Sequence, residues 1–379
     1  MTQRQPMALF IGCMSGTSLD GVDAVLAEMD CLRPCRVIGH AWQAYPDALR
    51  RELLALNGRG EDELHRASLA ANAVARAYAL VIEQLLESTG TDRGTLRAIG
   101  AHGQTVRHRP QAFDASGYTV QLLNGALLAE LTGVDVVCDF RTRDLAAGGQ
   151  GAPLVPAFHR SAFGEAGAHL AVLNVGGIAN LTLVSPSGDV LGFDTGPGNL
   201  LMDLWIERHL GARFDADGAW ARSGRVRPML LRTMQAEPFF VQSAPKSTGR
   251  DLFDAAWLEA ALAHAEPDTR PEDVQATLAE LTAWAVREAL ERHAPDTARL
   301  LVCGGGARNG HLMARLQEGR PALEVSPTDT WGVPADQVEA LAFAWLAAAF
   351  IDRRAGNLPA VTGARGPRVL GALHAGPAP

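Results

Sequence analysis

Residues 10–26 constrain the fold of this chain more than any other part of its sequence. Two apolar runs flank a turn built from Gly, Thr, Ser and Asp, a pattern typical of a β-hairpin with a polar tip. Gly16 and Gly21 permit backbone conformations closed to other residues, so the turn can point several N–H groups and hydroxyls at one anion. Considered alone, the segment is explained equally well as an ordinary hairpin.

The same pattern returns in the second half of the chain. Residues 171–184 form an apolar run, a glycine turn at 176–177 and a second apolar run, and residues 299–306 form an apolar run that ends in three glycines. Any one of these glycine turns is readily explained as a tight turn. Three of them, each after an apolar strand, favour phosphate binding and predict a pseudo-repeat of one fold.

Strand-like and helical segments alternate along the chain, which indicates an α/β architecture. Apolar residues at helical spacing predict a helix from Leu64 to Leu85, with Leu69, Val74 and Tyr78 on its apolar face. The other predicted elements are strands at 118–122, 134–140, 190–194 and 299–303, and helices at 126–131, 200–209 and 311–316.

A length of 379 residues exceeds what a single hydrophobic core usually supports, so we expect two domains. The glycine-rich crossing at 148–153 interrupts the alternation of strands and helices. We therefore expect an N-terminal domain at 1–155 with the first phosphate hairpin, and a C-terminal domain at 156–379 with the other two glycine turns.

The composition excludes several classes of protein. A net charge of −8 without a long basic run argues against nucleic acid as a standing partner. The five cysteines (Cys13, Cys31, Cys35, Cys138, Cys303) are scattered, which fits neither a zinc site nor a disulfide framework, and three of them lie in strand-like runs that predict buried thiols.

No targeting or membrane segment is predicted. The N-terminus lacks a basic region followed by an apolar stretch, and the longest strongly apolar run, 341–351, is too short to span a bilayer. We expect a cytoplasmic protein.

The order of the motifs resembles the superfamily of sugar kinases, Hsp70 and actin. Residues 300–309 look like the adenosine motif of that superfamily, and residues 333–342 look like its connecting helix. The resemblance is closer to one family, the anhydro-N-acetylmuramic acid kinases, and covers nearly the whole chain. The strings that carry it are 12–23, 102–105, 139–141, 149–156, 174–180, 193–199 and 245–251.

This resemblance implies two ribonuclease-H-like domains of the actin and hexokinase type, with a cleft for ATP and substrate between them. It implies a kinase that opens the anhydro ring of 1,6-anhydro-N-acetylmuramic acid with water and phosphorylates O6, using ATP and Mg²⁺ in cell-wall recycling. It also implies a homodimer. A simple sugar kinase that phosphorylates an existing hydroxyl is the alternative.

The resemblance places ATP against the three glycine turns. The residues it implies are Gly16, Thr17, Ser18, Leu19, Asp20, Gly21, Val22, Asp23, Gly176, Gly177, Gly304, Gly305 and Gly306.

Met14 stands near the position where other members of the superfamily carry an Asp associated with magnesium. A thioether is a poor ligand for Mg²⁺, which prefers oxygen. The metal must then be held by ATP phosphates, waters and another carboxylate, and the sequence leaves Asp20 and Asp23 open.

Two carboxylates are candidate catalytic residues. Asp194 ends an apolar strand before a Gly-Pro-Gly turn, where a general base could face a cleft; it lies too early to cap the helix near Leu200, a role that suits Asn199 better. Glu339 shares a helical face with Phe343, and the resemblance implies that it assists Asp194 or orients the sugar. An exposed first-turn acid explains Glu339 equally simply.

Three further residues are candidate substrate contacts. The resemblance implies that His102 and Gln104 bind sugar hydroxyls and that Arg141 pairs with the lactyl carboxylate. A satisfied loop histidine and a surface ion pair are the structural alternatives for His102 and Arg141. The basic residues Lys246 and Arg250 lie in a Ser-Thr-Gly loop and receive no specific role.

Other classes of ATP-binding protein fit less well. A non-catalytic ATP-gated module would need a partner-binding extension, and little sequence remains beyond the two halves. A sugar-responsive repressor would need a helix-turn-helix before the first hairpin, where only nine residues precede Phe10. The sequence therefore favours an enzyme.

Overall fold

The computed structural model describes residues 8–16, 18–29, 36–164, 168–244, 246–250 and 252–377. The predictions for Thr17, Cys31 and Cys35 lie outside these residues.

The strands are β1 (Ala8–Met14), β2 (Gly21–Met29), β3 (Arg36–Ala44), β4 (Leu96–Ala101), β5 (Gln104–Pro110), β6 (Gly117–Leu122), β7 (Val136–Cys138), β8 (Leu170–Val175), β9 (Ile178–Val184), β10 (Val190–Pro197), β11 (Arg299–Cys303), β12 (Glu324–Pro327) and β13 (Ala372–His374).

The helices are α1 (Asp47–Ala55), α2 (Glu63–Thr89), α3 (Gly125–Thr132), α4 (Thr142–Ala146), α5 (Val155–Phe163), α6 (Leu200–Leu210), α7 (Ala219–Ser223), α8 (Pro228–Gln235), α9 (Ala255–Leu262), α10 (Pro271–His293), α11 (Gly310–Gln317), α12 (Val338–Ile351) and α13 (Pro359–Thr362).

The chain divides into two compact units. The first unit comprises Met1–Ala162 and Gln337–Pro379, and the second unit is Phe163–Asp336. This division differs from the expected domains 1–155 and 156–379, because the last segment of the chain returns to the first unit. The physical reason is that α12 packs against β1 and β4.

The sheet of the first unit has the strand order β13-β7-β4-β1-β2-β3. The hairpin predicted at 10–26 is present as β1 and β2, which pair antiparallel with Ile11 opposite Leu26. β3 continues the antiparallel meander, whereas β4 lies parallel to β1 and β7 lies parallel to β4. The parallel strands require crossover connections, and α2 and α3 supply them.

The sheet of the second unit repeats this arrangement, with the strand order β10-β9-β8-β11-β12. β8, β9 and β10 are antiparallel, and β11 and β12 run parallel to β8. A three-stranded meander extended by two parallel strands on its first strand is the ribonuclease-H-like order. The predicted α/β class and the predicted pseudo-repeat are therefore confirmed by the two sheets.

Helix α12 lies against the first sheet at main-chain contact. A Cβ atom added to Gly12 would stand 1.9 Å from the Ala340 carbonyl oxygen, and one added to Gly100 would stand 2.0 Å from that of Phe343. Most of α12 is alanine and large apolar residues, and nearly all of it is buried. The two glycines therefore allow the helix that carries Glu339 to sit directly on β1 and β4.

Several predicted elements differ in extent from those observed. The predicted helix 64–85 is α2, but Leu64 and Leu69 are 87% and 55% exposed, so the buried face starts further along the helix. The strand predicted at 134–140 ends early, because Asp139 adopts a left-handed conformation with φ +55°. The strand predicted at 190–194 continues to Pro197.

Helix α2 is long and apolar enough to cross a membrane by length and composition alone. Half of its most apolar stretch is buried inside the first unit, where it packs on the sheet, as the core helix of a globular domain would. Length and composition are thus weak support for a membrane span here.

The three cysteines predicted to be buried thiols, Cys13, Cys138 and Cys303, are buried, and none of them is in a disulfide. Burial raises the pKa of the Cys138 thiol to about 12, which keeps it in the unreactive neutral form.

We expect Gly12→Ala to destabilise the first unit, because the new Cβ meets main-chain atoms of α12 that cannot rotate away. Overpacking of this kind costs roughly 1–3 kcal/mol. The midpoint of urea unfolding, followed by circular dichroism, measures the effect. Gly58→Ala is the matched control, since its Cβ would lie 3.8 Å from the nearest atom; equal midpoints for the two variants would contradict the prediction.

Candidate active site

Gln104 stabilises the turn between β1 and β2 through side-chain hydrogen bonds. The Gln104 amide donates to the Gly16 carbonyl over 3.0 Å and also to the Thr105 carbonyl, and its oxygen accepts from the Ser15 hydroxyl. Gln104 is fully buried, and both hydrogens of its amide are engaged. Gln104 therefore supports the turn, and its contact with a sugar hydroxyl stays a prediction.

The rest of the turn is ordered by local hydrogen bonds. Leu19, at φ +59°, donates its N–H to the Gly16 carbonyl over 3.3 Å. The Ser18 hydroxyl donates to Asp20 Oδ1 over 2.7 Å. Gly21 is required by packing, because its Cβ would stand 2.3 Å from the Gln43 carbonyl oxygen on β3.

His102 is a neutral, oriented side chain. Its Nε2 lies 3.2 Å from Arg141 Nε and 3.0 Å from Arg141 Nη2, and arginine can only donate, so Nε2 is the unprotonated acceptor. Nδ1–H therefore donates to the Ser15 carbonyl over 3.2 Å. Burial, and secondly the charge of Arg141, lowers the pKa of His102 to about 3. His102 thus positions Arg141.

Arg141 is the charge at the centre of this group. Its Nη1 donates to the Gly151 carbonyl over 2.8 Å. Burial lowers its pKa to about 10, and the negative charges of Glu339 and Asp144 oppose that shift. Arg141 consequently stays protonated at neutral pH, and the structure brings His102, Arg141 and Glu339 into one electrostatic group within the first unit.

Glu339 lies in the first turn of α12 and is half-buried. The helix begins at Val338, within the segment 333–342 that resembles the connecting helix, and the carboxylate lies in its first turn as expected. Its half-buried position and the effect of its charge on Arg141 favour a place in this group over an exposed first-turn acid, and its predicted role stays a prediction.

Asp144 is a site residue that sequence reasoning missed. It is fully buried, and its carboxylate accepts from the Gly151 N–H (2.8 Å), from Asn357 Nδ2 (2.7 Å) and from the Thr362 hydroxyl (2.8 Å). It thereby fixes the glycine-rich segment whose carbonyl orients Arg141. Two of its three partners, Asn357 and Thr362, lie more than 200 residues away in the sequence, so no local pattern could reveal this network.

The turn between β8 and β9 is the second glycine turn. The Gly176 and Gly177 carbonyls accept from the N–H groups of Asn199 (2.8 Å) and Gly198 (2.9 Å). Because the two sides of a peptide group point in opposite directions, the N–H groups of Gly177 and Ile178 face away from that segment. This is the orientation that an anion-binding turn requires.

Asn199 does not cap α6 with its side chain, contrary to the prediction. Its Nδ2 donates instead to the Val175 carbonyl over 3.1 Å, which braces the end of β8. The Asn199 side chain thus supports the glycine turn and does not cap α6.

The third glycine turn packs beside the second. Gly304, at φ +77°, would place a Cβ 2.5 Å from Asn174 Oδ1, and Gly306 would place one 2.4 Å from Val175. Both glycines are therefore required by packing. Gly305 has its nearest neighbour, Asn199 Nδ2, at 3.6 Å, so it is the glycine of the three whose face is open to a ligand.

Asp194 lies on β10 beside an irregularity of the strand. The pairing with β9 shifts between Asp194 and Gly196, so Thr195 bulges and redirects the strand next to the carboxylate. The Thr248 N–H donates to Asp194 Oδ2 over 2.9 Å. Burial raises the pKa of Asp194 to about 7, and the Thr248 N–H and the Lys246 charge oppose the shift.

The carboxylates considered for a metal lie at the first turn. Asp23 is the register partner of Met14 across the hairpin, so the two side chains share one face of the sheet. Asp23 Oδ1 lies 3.0 Å from His40 Nε2, and Asp20 accepts from Ser18. Among the residues that the structure describes, no group of three His, Cys, Asp or Glu side chains forms a metal cluster.

Comparisons with known proteins give one consistent result. A family model described as anhydro-N-acetylmuramic acid kinase matches residues 8–376. The protein of that name from Variovorax paradoxus is 57% identical over 372 residues, covering 97% of this chain and 98% of its own length. Proteins of the same name from Bordetella petrii (57%, covering 97% of each chain) and Albidiferax ferrireducens (54%, covering 97% of this chain and 99% of its own) are similar over the same extent.

We expect His102 to remain neutral in the Nδ1–H form from pH 8 down to about pH 4. Its folded pKa lies below the value of about 6.5 in an unfolded chain, so its contribution to stability is complete above that pH and is lost as the pH falls toward 3. Long-range ¹H–¹⁵N correlation spectra of the imidazole nitrogens measure this directly. Arg141→Leu should raise the pKa of His102, and titration of the wild-type ring near pH 6.5 would contradict the assignment.

Proposed function

Because the chain belongs to the anhydro-N-acetylmuramic acid kinase family, we propose that it converts 1,6-anhydro-N-acetylmuramic acid and ATP into N-acetylmuramic acid 6-phosphate and ADP, for cell-wall recycling. In this reaction the oxygen of water bonds to C1 and the C1–O6 bond breaks. The freed O6 bonds to the γ-phosphorus of ATP, and the bond from that phosphorus to the β-phosphate oxygen breaks.

Asp194 is the general base of the proposed reaction. The observation that carries this assignment is a half-buried carboxylate at a strand bulge, held at Oδ2 by the Thr248 N–H. Within the described part of the chain, the hydrogen bond to this carboxylate is made at Oδ2, which leaves Oδ1 to take the proton of the attacking water. A pKa of about 7 suits a base that must accept and release a proton near neutral pH.

The three glycine turns hold ATP in this proposal. Phosphoryl transfer depends mainly on positioning and on stabilisation of charge, which main-chain N–H groups at Gly16, Gly177 and Gly305 are suited to provide. The open face of Gly305 and the outward N–H of Gly177 support contact with the nucleotide.

The first unit recognises the sugar through Arg141. Its guanidinium matches the geometry of the lactyl carboxylate of muramic acid, and each Nη retains a hydrogen beyond the bonds to Gly151 and His102. His102 and Gln104 support the sugar site indirectly. The polar atoms of His102 hold Arg141, and those of Gln104 hold the turn that contains Ser15. Glu339, paired in charge with Arg141, assists Asp194 or orients the sugar.

Mg²⁺ accompanies ATP in the proposed reaction. Asp20 and Asp23 are the carboxylates beside the first turn, and their hard oxygens fit the preference of Mg²⁺ where Met14 does not. When bound, the ion neutralises charge on the β- and γ-phosphates. Buried thiols outside disulfides are in keeping with a cytoplasmic location, and the family resemblance is the ground for a homodimer.

The alternative, a kinase acting on an existing hydroxyl, shares the fold and the ATP turns but needs no water at C1. The family assignment favours the double reaction over that alternative. Mass spectrometry of the sugar distinguishes them, because the double reaction adds one water and one phosphoryl group.

We expect Asp194→Asn to lower turnover by about two to four orders of magnitude, the usual contribution of a general base. ATP affinity should be unchanged, because the amide keeps the shape of the side chain and the hydrogen bond to Thr248. Product formation and equilibrium binding of ATP are the two measurements. Asp296→Asn, at an exposed site of the same unit, is the matched control; an equal loss of ATP affinity and rate would make Asp194 a nucleotide or metal residue.

We expect kcat/KM to rise with pH through about 7 and then to level off, since Asp194 must be ionised to accept a proton. Initial rates between pH 5.5 and 8.5 at saturating ATP measure the profile. A profile that is flat across this range would exclude a base with the pKa of Asp194.

A further inference from the structure

Lys246 is the only lysine of the sequence, in which Lys and Arg together number 34. All the other residues in that count are therefore arginine. The two side chains differ chemically: the guanidinium is a planar fork that stays charged, whereas the ammonium is a compact charge whose pKa shifts readily. Lys246 is thus a single lysine among arginines, and it lies in the segment that contacts the proposed base, Asp194. The use of lysine at this position therefore requires a specific explanation.

The Lys246 ammonium is anchored on a short helical turn at Pro238–Val241. Its Nζ donates to the Phe239 carbonyl over 3.0 Å and to the Phe240 carbonyl over 3.2 Å, and it lies 4.4 Å from the centroid of the Phe239 ring. The anchor thus uses a point charge with several donors and a cation–π contact, for which lysine is suited.

The main chain on either side of this anchor holds Asp194. The Asp194 N–H donates to the Lys246 carbonyl over 3.0 Å, and two residues later the Thr248 N–H donates to Asp194 Oδ2 over 2.9 Å. One short segment therefore grips the base at its backbone and at one carboxylate oxygen. Whatever fixes Lys246 also fixes the orientation of that carboxylate.

The charges around Lys246 form a small set. Asp194 faces it from β10, and Arg292 and His293 face it from the end of α10. Arg292 Nη1 also donates to the Phe240 carbonyl, over 3.4 Å, and the His293 ring packs edge-to-face against Phe193 with the ring centroids 5.0 Å apart. Burial and then Arg292 lower the pKa of Lys246 to about 8, and the charge of Asp194 opposes that shift.

We propose that Lys246 is the positioning residue of the Asp194 base: its ammonium, anchored on the Phe239 and Phe240 carbonyls, fixes the segment that holds Asp194 at its backbone and at Oδ2. The positive charge of Lys246, which opposes the rise in the pKa of Asp194, supports the same role. This inference rests on the proposed role of Asp194 in catalysis. It assigns a function to the lysine of the 245–251 motif, whose role the sequence alone did not define.

The electrostatic half of the proposal is testable without any activity. Protein produced with ¹³Cε-labelled lysine gives one lysine signal, because Lys246 is the only lysine of the sequence, and the pH titration of that signal reports the pKa of the unmodified ammonium. We expect the pKa of Lys246 to fall in Asp194→Asn, because the opposing negative charge is gone, and to be unchanged in Asp296→Asn. An unchanged pKa in Asp194→Asn would overturn the proposal.

The catalytic half uses Lys246→Met and Lys246→Arg. In Lys246→Met the rise of kcat/KM with pH should move to higher pH, so that the loss is larger at pH 6.5 than at pH 8.5; a shift of one unit corresponds to a tenfold loss in the acid range. Lys246→Arg should restore the wild-type position of the rise. Arg232→Met removes an exposed positive charge from the same unit and is the control.

The outcomes separate the two proposals. An equal loss at every pH in both lysine variants would make Lys246 a structural residue only and overturn the inference. Full activity of Asp194→Asn would instead overturn the proposed function, whereas the coupling measured by the ¹³C titration would stand.

Discussion

The contact between α12 and the first sheet is the constraint on which the first unit depends. β1 and β4 have no side chain at Gly12 and Gly100, so the alanine-rich helix α12 lies directly on the main chain of these two strands. This close approach sets the height of Glu339 above the sheet and brings the Phe343 ring to 4.8 Å from His102. The packing of one helix thus places apolar and polar parts of the site together.

The polar groups of the candidate site are held by side chains in the first unit and by main-chain hydrogen bonds in the second. In the first unit, buried side chains support one another: Ser15 and His102 are held by Gln104 and Arg141, and burial keeps the imidazole neutral so that it can accept. In the second unit, the Gly176 and Gly177 carbonyls accept main-chain hydrogen bonds from residues 198–200, at the start of α6. Side-chain networks of this kind depend on protonation state, whereas main-chain turns do not.

The sequence predicted those features that are encoded locally. Both hairpins, the repeated order of elements and the turns of glycine follow from short patterns with their own physical cause. The grip of Asp144 on Thr362, and that of Gln104 on Ser15, joins residues far apart in the chain, and no periodicity announces such pairs. The return of α12 to the first unit was hidden for the same reason, because an apolar helix does not state which sheet it will cover.

That return has a consequence for how the protein is made. The second unit is one continuous segment, whereas the first needs α12 over β1 and β4, and β13 beside β7. A ribosome adding about 5–20 residues per second needs on the order of tens of seconds to travel from β1 to α12. During that interval the face of the first sheet that α12 will cover remains exposed, whereas the second unit can already fold. The half of the molecule that is synthesised first is therefore completed last.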